Sequence, residues 1–223
     1  MTKHVVVTGA NRGIGLAFVK EYINRGDRVT AVCRHSNPEL SGLEGVTVID
    51  EVDVSVADSM LRLSEKIGDR SVDLLINNAG ILRGQMLGRI QYDVMMAQYE
   101  VNALGPLRIT ETLLPNMMEK GGKIGLITSR MGSIADNTSG GNYGYRMSKS
   151  ALNAAGMSLA QDLREANIAV AVLHPGYVQT EMVGFSGEIS AEESVLHMSQ
   201  RIDELNLENS GTFWHAKGSI LPW

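Results

Sequence analysis

The sequence predicts an α/β fold, a single doubly wound (Rossmann-type) parallel sheet of about seven strands flanked by helices, with residues 1–223 forming one domain. Three observations carry this reading. Short runs without polar alternation, such as His4–Thr8 (HVVVT) and Ile168–Leu173 (IAVAVL), have the pattern of strands buried on both faces. Stretches of helical periodicity separate them, so strands and helices alternate along the chain. A glycine-rich turn joins the first strand to the first helix, the position at which such folds bind their ligands.

Composition narrows the class of function. An apolar content of 43% with 24 glycines in 223 residues suits one large α/β core. The formal net charge is -5, with Lys and Arg scattered, so no basic face is offered to a nucleic acid and none is expected as partner. The single cysteine, Cys33, excludes an intramolecular disulfide, fits a reducing compartment and reads as a small buried apolar residue. The first strand begins at His4, leaving no room ahead of it for a signal sequence, and no apolar run approaches the ~18 residues that span a bilayer. A cytoplasmic protein without a membrane partner is the expectation.

His4–Thr8 runs into Gly9, Ala10, Asn11, Arg12, Gly13, Ile14 and Gly15, and the following LAFVKEYINRG is helical up to Gly26. The glycines therefore lie at a helix N-terminus. They permit a tight turn and close backbone approach, and the free helix N–H groups suit a pyrophosphate. Dinucleotide binding is the reading this placement favours.

Arg28–Cys33 is the second strand, ending at Arg34. An acid at this point accepts from a ribose 2′-hydroxyl, whereas an arginine suits a 2′-phosphate. With Arg34 there and Arg12 in the glycine turn, NADP(H) is favoured over NAD(H), although both arginines fit ordinary solvated charges too. Val46–Glu51 is the third strand, followed by Asp53 and Val54 and a helix from Val56 to about Ile67. Asp53 suits the adenine amino group or the start of that helix. Val72–Asn77 is the fourth strand and delivers Asn77, Asn78, Ala79 and Gly80 at its carboxyl end. Paired carboxamides there need their hydrogen bonds met, which implies a structural or cofactor-facing role.

From Asp93 to Lys120 two helical segments are expected to meet near Val101–Pro106, with Asn102 in that hinge as a polar side chain or a helix cap. Lys123–Thr128 is the fifth strand and ends at Ser129. A Gly, Ser and Asn-rich loop, Arg130–Asn142, leads to a helix that carries YGYRMSKSALNAA and runs to about Ala166. On that helix Tyr145 and Lys149 stand at i and i+4, on one face. A phenol titrates near 10, and a fixed cation beside it favours the phenolate, so the pair suits proton transfer near neutrality. After Ile168–Leu173 come His174, Pro175, Gly176, Tyr177, Val178, Gln179 and Thr180, placed to border the nicotinamide half of a dinucleotide. His174 beside a proline is read as structural. A helix at Ala191–Leu205 and a short strand near Thr212–Trp214 close the chain.

Together TGANRGIG (Thr8–Gly15), NNAG (Asn77–Gly80), Asn102, Ser129, YRMSK (Tyr145–Lys149) and HPGYVQT (His174–Thr180) resemble the short-chain dehydrogenase/reductase family, in its order and over nearly the whole chain. SRMGSI and GSILPW look like the branch with C-factor-like and sniffer-like carbonyl reductases. The resemblance implies hydride transfer between a nicotinamide and a carbonyl or alcohol carbon. By it Tyr145 donates the proton and Lys149 lowers its pKa and holds the ribose. Ser129 bonds the substrate oxygen, and Asn102 positions a water near Lys149. Ser133 competes with Ser129 on spacing alone. The short segment from Thr180 to Ser190 implies an open cleft bordered by Leu82, Met131, Met182 and Phe185. Ala151, Ala154, Ala155 and Ser158 give the Tyr145 helix a small-residue face, and a homodimer is expected through it. The expected activity is NADP-dependent reduction of an aldehyde or ketone. An oxidative NAD-dependent alcohol or hydroxysteroid-type dehydrogenase and a non-catalytic cofactor sensor stand as alternatives.

Overall fold

The structure, a computed structural model, describes residues 2–223. Seven strands form one parallel sheet: β1 (His4–Thr8), β2 (Arg28–Val32), β3 (Val46–Ile49), β4 (Leu74–Asn77), β5 (Gly122–Ile127), β6 (Ile168–His174) and β7 (Phe213–His215). Their order in the sheet is β3-β2-β1-β4-β5-β6-β7. The order reverses between β1 and β4, so the carboxyl ends of those two strands open the crevice in which open α/β sheets bind ligands.

The alternation of β1 shows why both faces are covered. Val5 and Val7 pack with α1 (Gly13–Asn24) and α7 (Ala191–Glu204), through Phe18, Val195 and Met198. Val6 points the other way, to a core holding Leu63, Leu113 and Leu152 from α3 (Asp58–Ile67), α5 (Gly105–Met118) and α6 (Tyr143–Asp162). No residue of β1 is solvated, which is why the run shows no polar alternation, its two polar residues His4 and Thr8 standing at the ends.

Several boundaries differ from the sequence expectation for visible reasons. β3 stops at Ile49 because Glu51 turns into the left-handed region, at φ 57°. A short α2 (Pro38–Ser41) was not expected; Asn37 caps it by accepting from Leu40 N–H at 2.9 Å. The expected hinge near Val101–Pro106 is instead a π-helical turn, Glu100–Leu104, that joins α4 (Tyr92–Tyr99) to α5 without a break. Asn102 lies inside it and is not a helix cap. π-turns of this kind interrupt α-helices mainly at functional positions. Among the described residues no helix is long and apolar enough to cross a membrane, and no cluster of His, Cys, Asp or Glu could hold a metal.

Candidate active site

A cleft of about 680 Å³ opens at the β1/β4 crevice. Gly9, Asn11, Arg12, Gly13 and Ile14 form one wall, Arg34, Asp53 and Val54 one end, and Asn78, Ala79 and Gly80 the floor. Thr180, Met182 and Phe185 close the other side.

The glycine turn is built so tightly that side chains are excluded. A Cβ on Gly15 would lie 2.1 Å from the Gly9 carbonyl oxygen, and one on Gly9, whose φ is 63°, 2.8 Å from Ala79 Cα. Asn78 holds this contact: its Nδ2 donates to the carbonyls of Thr8 at 3.0 Å and Gly9 at 3.2 Å. Thr8 Oγ1 answers by accepting from the N–H groups of Asn78 at 3.0 Å and Ala79 at 3.2 Å. The Asn78 side chain is thus spent on the turn. Asn77 donates to Thr110 Oγ1 at 3.2 Å, while its Oδ1 has no partner among the described residues.

At the end of the cleft beyond β2 the charges are arranged in pairs. Arg34 lies 3.7 Å from Asp53, and Lys20, which the sequence reading did not single out, lies 2.7 Å from Glu39. Lys20 follows Gly15 by five residues on α1, a spacing that offered a weak signal. Asp53 also accepts from Ser55 N–H at 2.9 Å and from Ser55 Oγ at 2.6 Å. Burial raises its pKa, yet the Ser55 bonds and Arg34 outweigh burial and hold the carboxyl below its usual value. Its structural use is this turn, four residues before the α3 cap at Ala57. Across the cleft Arg12 forms an ion pair with Glu181, a partner 169 residues away that local pattern gives no means of finding.

The downstream wall is pinned from behind. Ser194 Oγ donates to the Pro175 carbonyl at 2.6 Å, and Val178 bridges to Ile189. The methyl of Thr180 stands 3.3 Å from where a Gly13 Cβ would be. Phe185, exposed at the rim, adopts φ 59°, a costly conformation for a bulky side chain. His174 stacks edge-on against His215 at 5.1 Å. Burial, aided by His215 and Arg130, pushes its pKa down to about 3, so it is neutral at physiological pH.

Tyr145, Lys149 and Ser129 lie behind the floor of the cleft, at 7%, 4% and 8% exposure. They meet the cleft at Gly80, where a Cβ would stand 3.6 Å from Lys149 Nζ. Nζ donates to the Ile127 carbonyl at 2.9 Å and sits 5.8 Å from the Tyr145 ring centre. Burial pushes the phenol up to about 12, opposed by a hydrogen bond from Ser129. Burial pushes the ammonium down to about 8. The expected lowering of the phenol by Lys149 is therefore not what the protein groups alone produce; Ser129 is the group acting against burial.

Ser129 begins the short helical turn Arg130–Gly132 and accepts from Met131 N–H at 3.1 Å. Ser133 faces elsewhere, donating to the Trp223 carbonyl at 3.0 Å and accepting from Asp136 N–H at 3.1 Å. Asn102, fully buried, accepts from Ile81 N–H at 2.8 Å and donates to the Ile81 carbonyl at 2.8 Å and to Ser148 Oγ at 3.0 Å. It clamps the strand-end loop to α6. Leu82 and Met131 do not border the cleft; they follow Ile81 and Arg130, on the Tyr145 side.

The buried ammonium makes a stability prediction. Lys149 holds its proton to about pH 8 in the folded chain, against about 10.4 unfolded. Between those values the unfolded chain binds more protons, so stability rises with pH. Lys149→Met removes a charge whose burial costs up to about 3 kcal/mol at pH 7, less about 1 kcal/mol for the lost bond to Ile127. Thermal unfolding should show the variant melting up to about 5 °C above the parent at pH 7. The gap should close by about pH 10.5, and an identical melting point at pH 7 would contradict the burial argument.

This fold and site define an α/β oxidoreductase. The chain belongs to the short-chain dehydrogenase/reductase family: the family model for short chain dehydrogenases matches residues 3–189. It is 37% identical over 225 residues to 1-hydroxy-2-glutathionyl-2-methyl-3-butene dehydrogenase of Rhodococcus sp. (strain AD45), covering 98% of this chain and 99% of that one. It is 46% identical over 154 residues to C-signal of Myxococcus xanthus, covering 68% of this chain and 93% of that protein. Among solved structures, carbonyl reductase Sniffer of D. melanogaster superposes with TM-score 0.92 at 29% identity over 100% of both chains. NADPH-bound carbonyl reductase from chicken fatty liver does so with TM-score 0.90 at 29% identity, over 100% of this chain and 99% of that one.

Proposed function

We propose that the protein is an NADP-dependent carbonyl reductase in which Tyr145 donates the proton to the carbonyl oxygen. The observation that carries this is the buried Tyr145–Lys149–Ser129 cluster meeting, at Gly80, a cleft walled by a side-chain-free glycine turn. The turn and the cleft fit a dinucleotide, which when bound supplies the hydride equivalent. Gly9, Gly13 and Gly15 shape its cradle, with Asn11, Arg12, Ile14, Ala79 and Thr180 around it; Pro175, Gly176 and Val178 do not line the cleft and hold the wall that carries Thr180. Tyr145, its phenol pushed up to about 12, carries its proton at neutral pH and holds it ready for a developing alkoxide. Ser129 offers a second hydroxyl to the same oxygen, and Lys149 supplies positive charge. Asn102 holds Ile81 and Ser148 and so fixes the loop against α6. The small-residue face of α6, with Ala154 and Ser158 exposed, is proposed as a homodimer contact, checked by sedimentation.

NADP preference rests on Arg34 and Lys20 at the adenosine end, with Asp53 and Glu39 already engaged. Direct binding should give tighter NADPH than NADH. Arg34→Asp should weaken NADPH by about 10–100-fold, the worth of one or two charge-assisted bonds, and leave NADH less affected. Tighter NADH binding by the parent would overturn the assignment. Oxidation of an alcohol is the second reading, favoured by the name of the Rhodococcus relative. Initial rates in both directions on a panel of aldehydes, ketones and alcohols decide between them, and cofactor binding without any turnover would favour a sensor.

A further inference from the structure

The loops beside Tyr145 carry positive charge that the fold does not compensate. From Asn77 to Tyr92 the chain holds Arg83 and Arg89 and no acid; from Ser129 to Ser150 it holds Arg130, Arg146 and Lys149 against Asp136 alone. Asp136 is taken by Arg130, and Lys149 is buried. Among the described residues Arg83, Arg89 and Arg146 enter no ion pair. In a chain of net charge -5 this is a local inversion of sign.

Hydrogen bonds place two of these arginines, Arg83 and Arg146, on chain segments that meet at the first turn of α6, the turn that carries Tyr145. Gly80 lies against Lys149 Nζ, Arg83 N–H donates to Gln98 Oε1 at 2.8 Å, and the Gln85 carbonyl accepts from Asn142 N–H at 2.7 Å. Gln85 Oε1 also accepts from Gly144 N–H at 3.3 Å. The segment 80–85 therefore runs along the first turn of α6. Arg83 is exposed, with Nη1 3.5 Å from the Leu82 carbonyl. Arg146 donates from Nη1 to the Met131 carbonyl at 3.4 Å, from Nη2 to Ser139 Oγ at 2.8 Å and from Nε to the Gly140 carbonyl at 3.3 Å. Every one of these acceptors is neutral, so no acid compensates either guanidinium. They stand beside Leu82 and Met131, at the opposite end of the site from Arg34. Glu181, the acid on the facing segment, is held by Arg12.

We propose that the preferred carbonyl substrates carry a carboxylate, attracted and oriented by Arg83 and Arg146 on the Tyr145 side of the cleft. A planar guanidinium fork matches a carboxylate, and an unpaired one beside a reacting centre selects by charge at small distance. The inference rests on the carbonyl reductase reading, and the test separates the two.

With NADPH as cofactor, kcat/KM is measured for 4-carboxybenzaldehyde and for its neutral methyl ester, at low salt and at about 0.5 M salt. The acid should be preferred by about tenfold at low salt, with the preference shrinking as salt screens the charges. Arg83→Glu should bring the ratio to one or below, and Arg83→Lys should keep part of it. Arg146→Lys should retain more of it than Arg146→Met, which also releases the Met131 loop. Because the readout is a ratio within one variant, general loss of activity does not mimic the effect. Equal use of acid and ester by the parent, or a preference untouched by Arg83→Glu, overturns the inference while leaving the reductase reading intact. Consumption of neither aldehyde by a protein that binds NADPH overturns the reductase reading, and the inference falls with it.

Discussion

Tyr145→Phe is expected to lower kcat for carbonyl reduction by about 10²–10⁴-fold, the usual worth of a positioned proton donor. The substitution removes one oxygen from a ring that is 7% exposed and keeps the ring's volume, so the helix and its packing have no reason to change. Ser129 loses a partner but keeps its bond from Met131 N–H. The melting temperature should therefore stay within a few degrees of the parent, and NADPH should still bind. KM for the carbonyl should move little, because the proton is needed in the transition state and not for binding. Turnover that survived within about threefold would remove Tyr145 from the proposed role. Ser129→Ala should give a smaller loss, about 10²-fold, since water or the phenol can still meet the oxygen. Ser133→Ala, whose hydroxyl is tied to Trp223, should cost far less than Ser129→Ala; the reverse order would exchange the two assignments.

The contrast between those two serines shows what one-dimensional reading supplies and what it lacks. Spacing to Tyr145 favours Ser133, whereas the end of β5 favours Ser129, and only packing shows that the Ser133 hydroxyl is turned to the Trp223 carbonyl, 90 residues away. β1, the glycine turn and the α1 start were legible because local chemistry decides them: a run with no solvated position, then residues that must turn without Cβ atoms. The π-turn at Glu100–Leu104 was not, because a shift of hydrogen-bond register leaves no mark in composition; Gly105 and Pro106 only signalled that something interrupts the helix. The Arg12–Glu181 pair and the Lys20–Glu39 pair were hidden for the same reason as the Ser133 bond, since sequence separation conceals contact. The titration of the Tyr145–Lys149 pair was the hardest to foresee. Tyr145 and Lys149 at i and i+4 look like a phenol softened by a cation, but desolvation acts on each first and drives the phenol up and the ammonium down.

Gly15→Val is expected to have the largest effect on ligand binding of any single change outside the Tyr145 cluster. A Cβ at this position would lie 2.1 Å from the Gly9 carbonyl oxygen, 2.6 Å from Asn78 Nδ2 and 2.8 Å from the Gly9 carbonyl carbon. Two of those three atoms are backbone, so no rotamer change relieves the overlap. Moving the Gly9 carbonyl breaks its bond from Asn78 Nδ2, which also donates to the Thr8 carbonyl, while Thr8 Oγ1 accepts from the N–H groups of Asn78 and Ala79. The clash therefore spreads from the turn to the floor of the cleft. The turn must open, α1 loses its seating on β1, and the N–H groups that would face a pyrophosphate no longer converge. NADPH affinity should fall by more than about 10²-fold, which is more than about 2.7 kcal/mol of binding free energy. The parent should melt higher with saturating NADPH, by the linkage of ligand to the folded state, whereas the variant should show no such shift. Two substitutions bracket the cause. Gly15→Ala carries the same Cβ and should lose nearly as much, while Gly26→Ala, at φ 80° with open space around it, should cost about 1 kcal/mol of stability and no cofactor affinity. A Gly15→Ala protein that bound NADPH as the parent does would show that the turn is looser than this geometry and would remove the glycine cradle from the case for a dinucleotide.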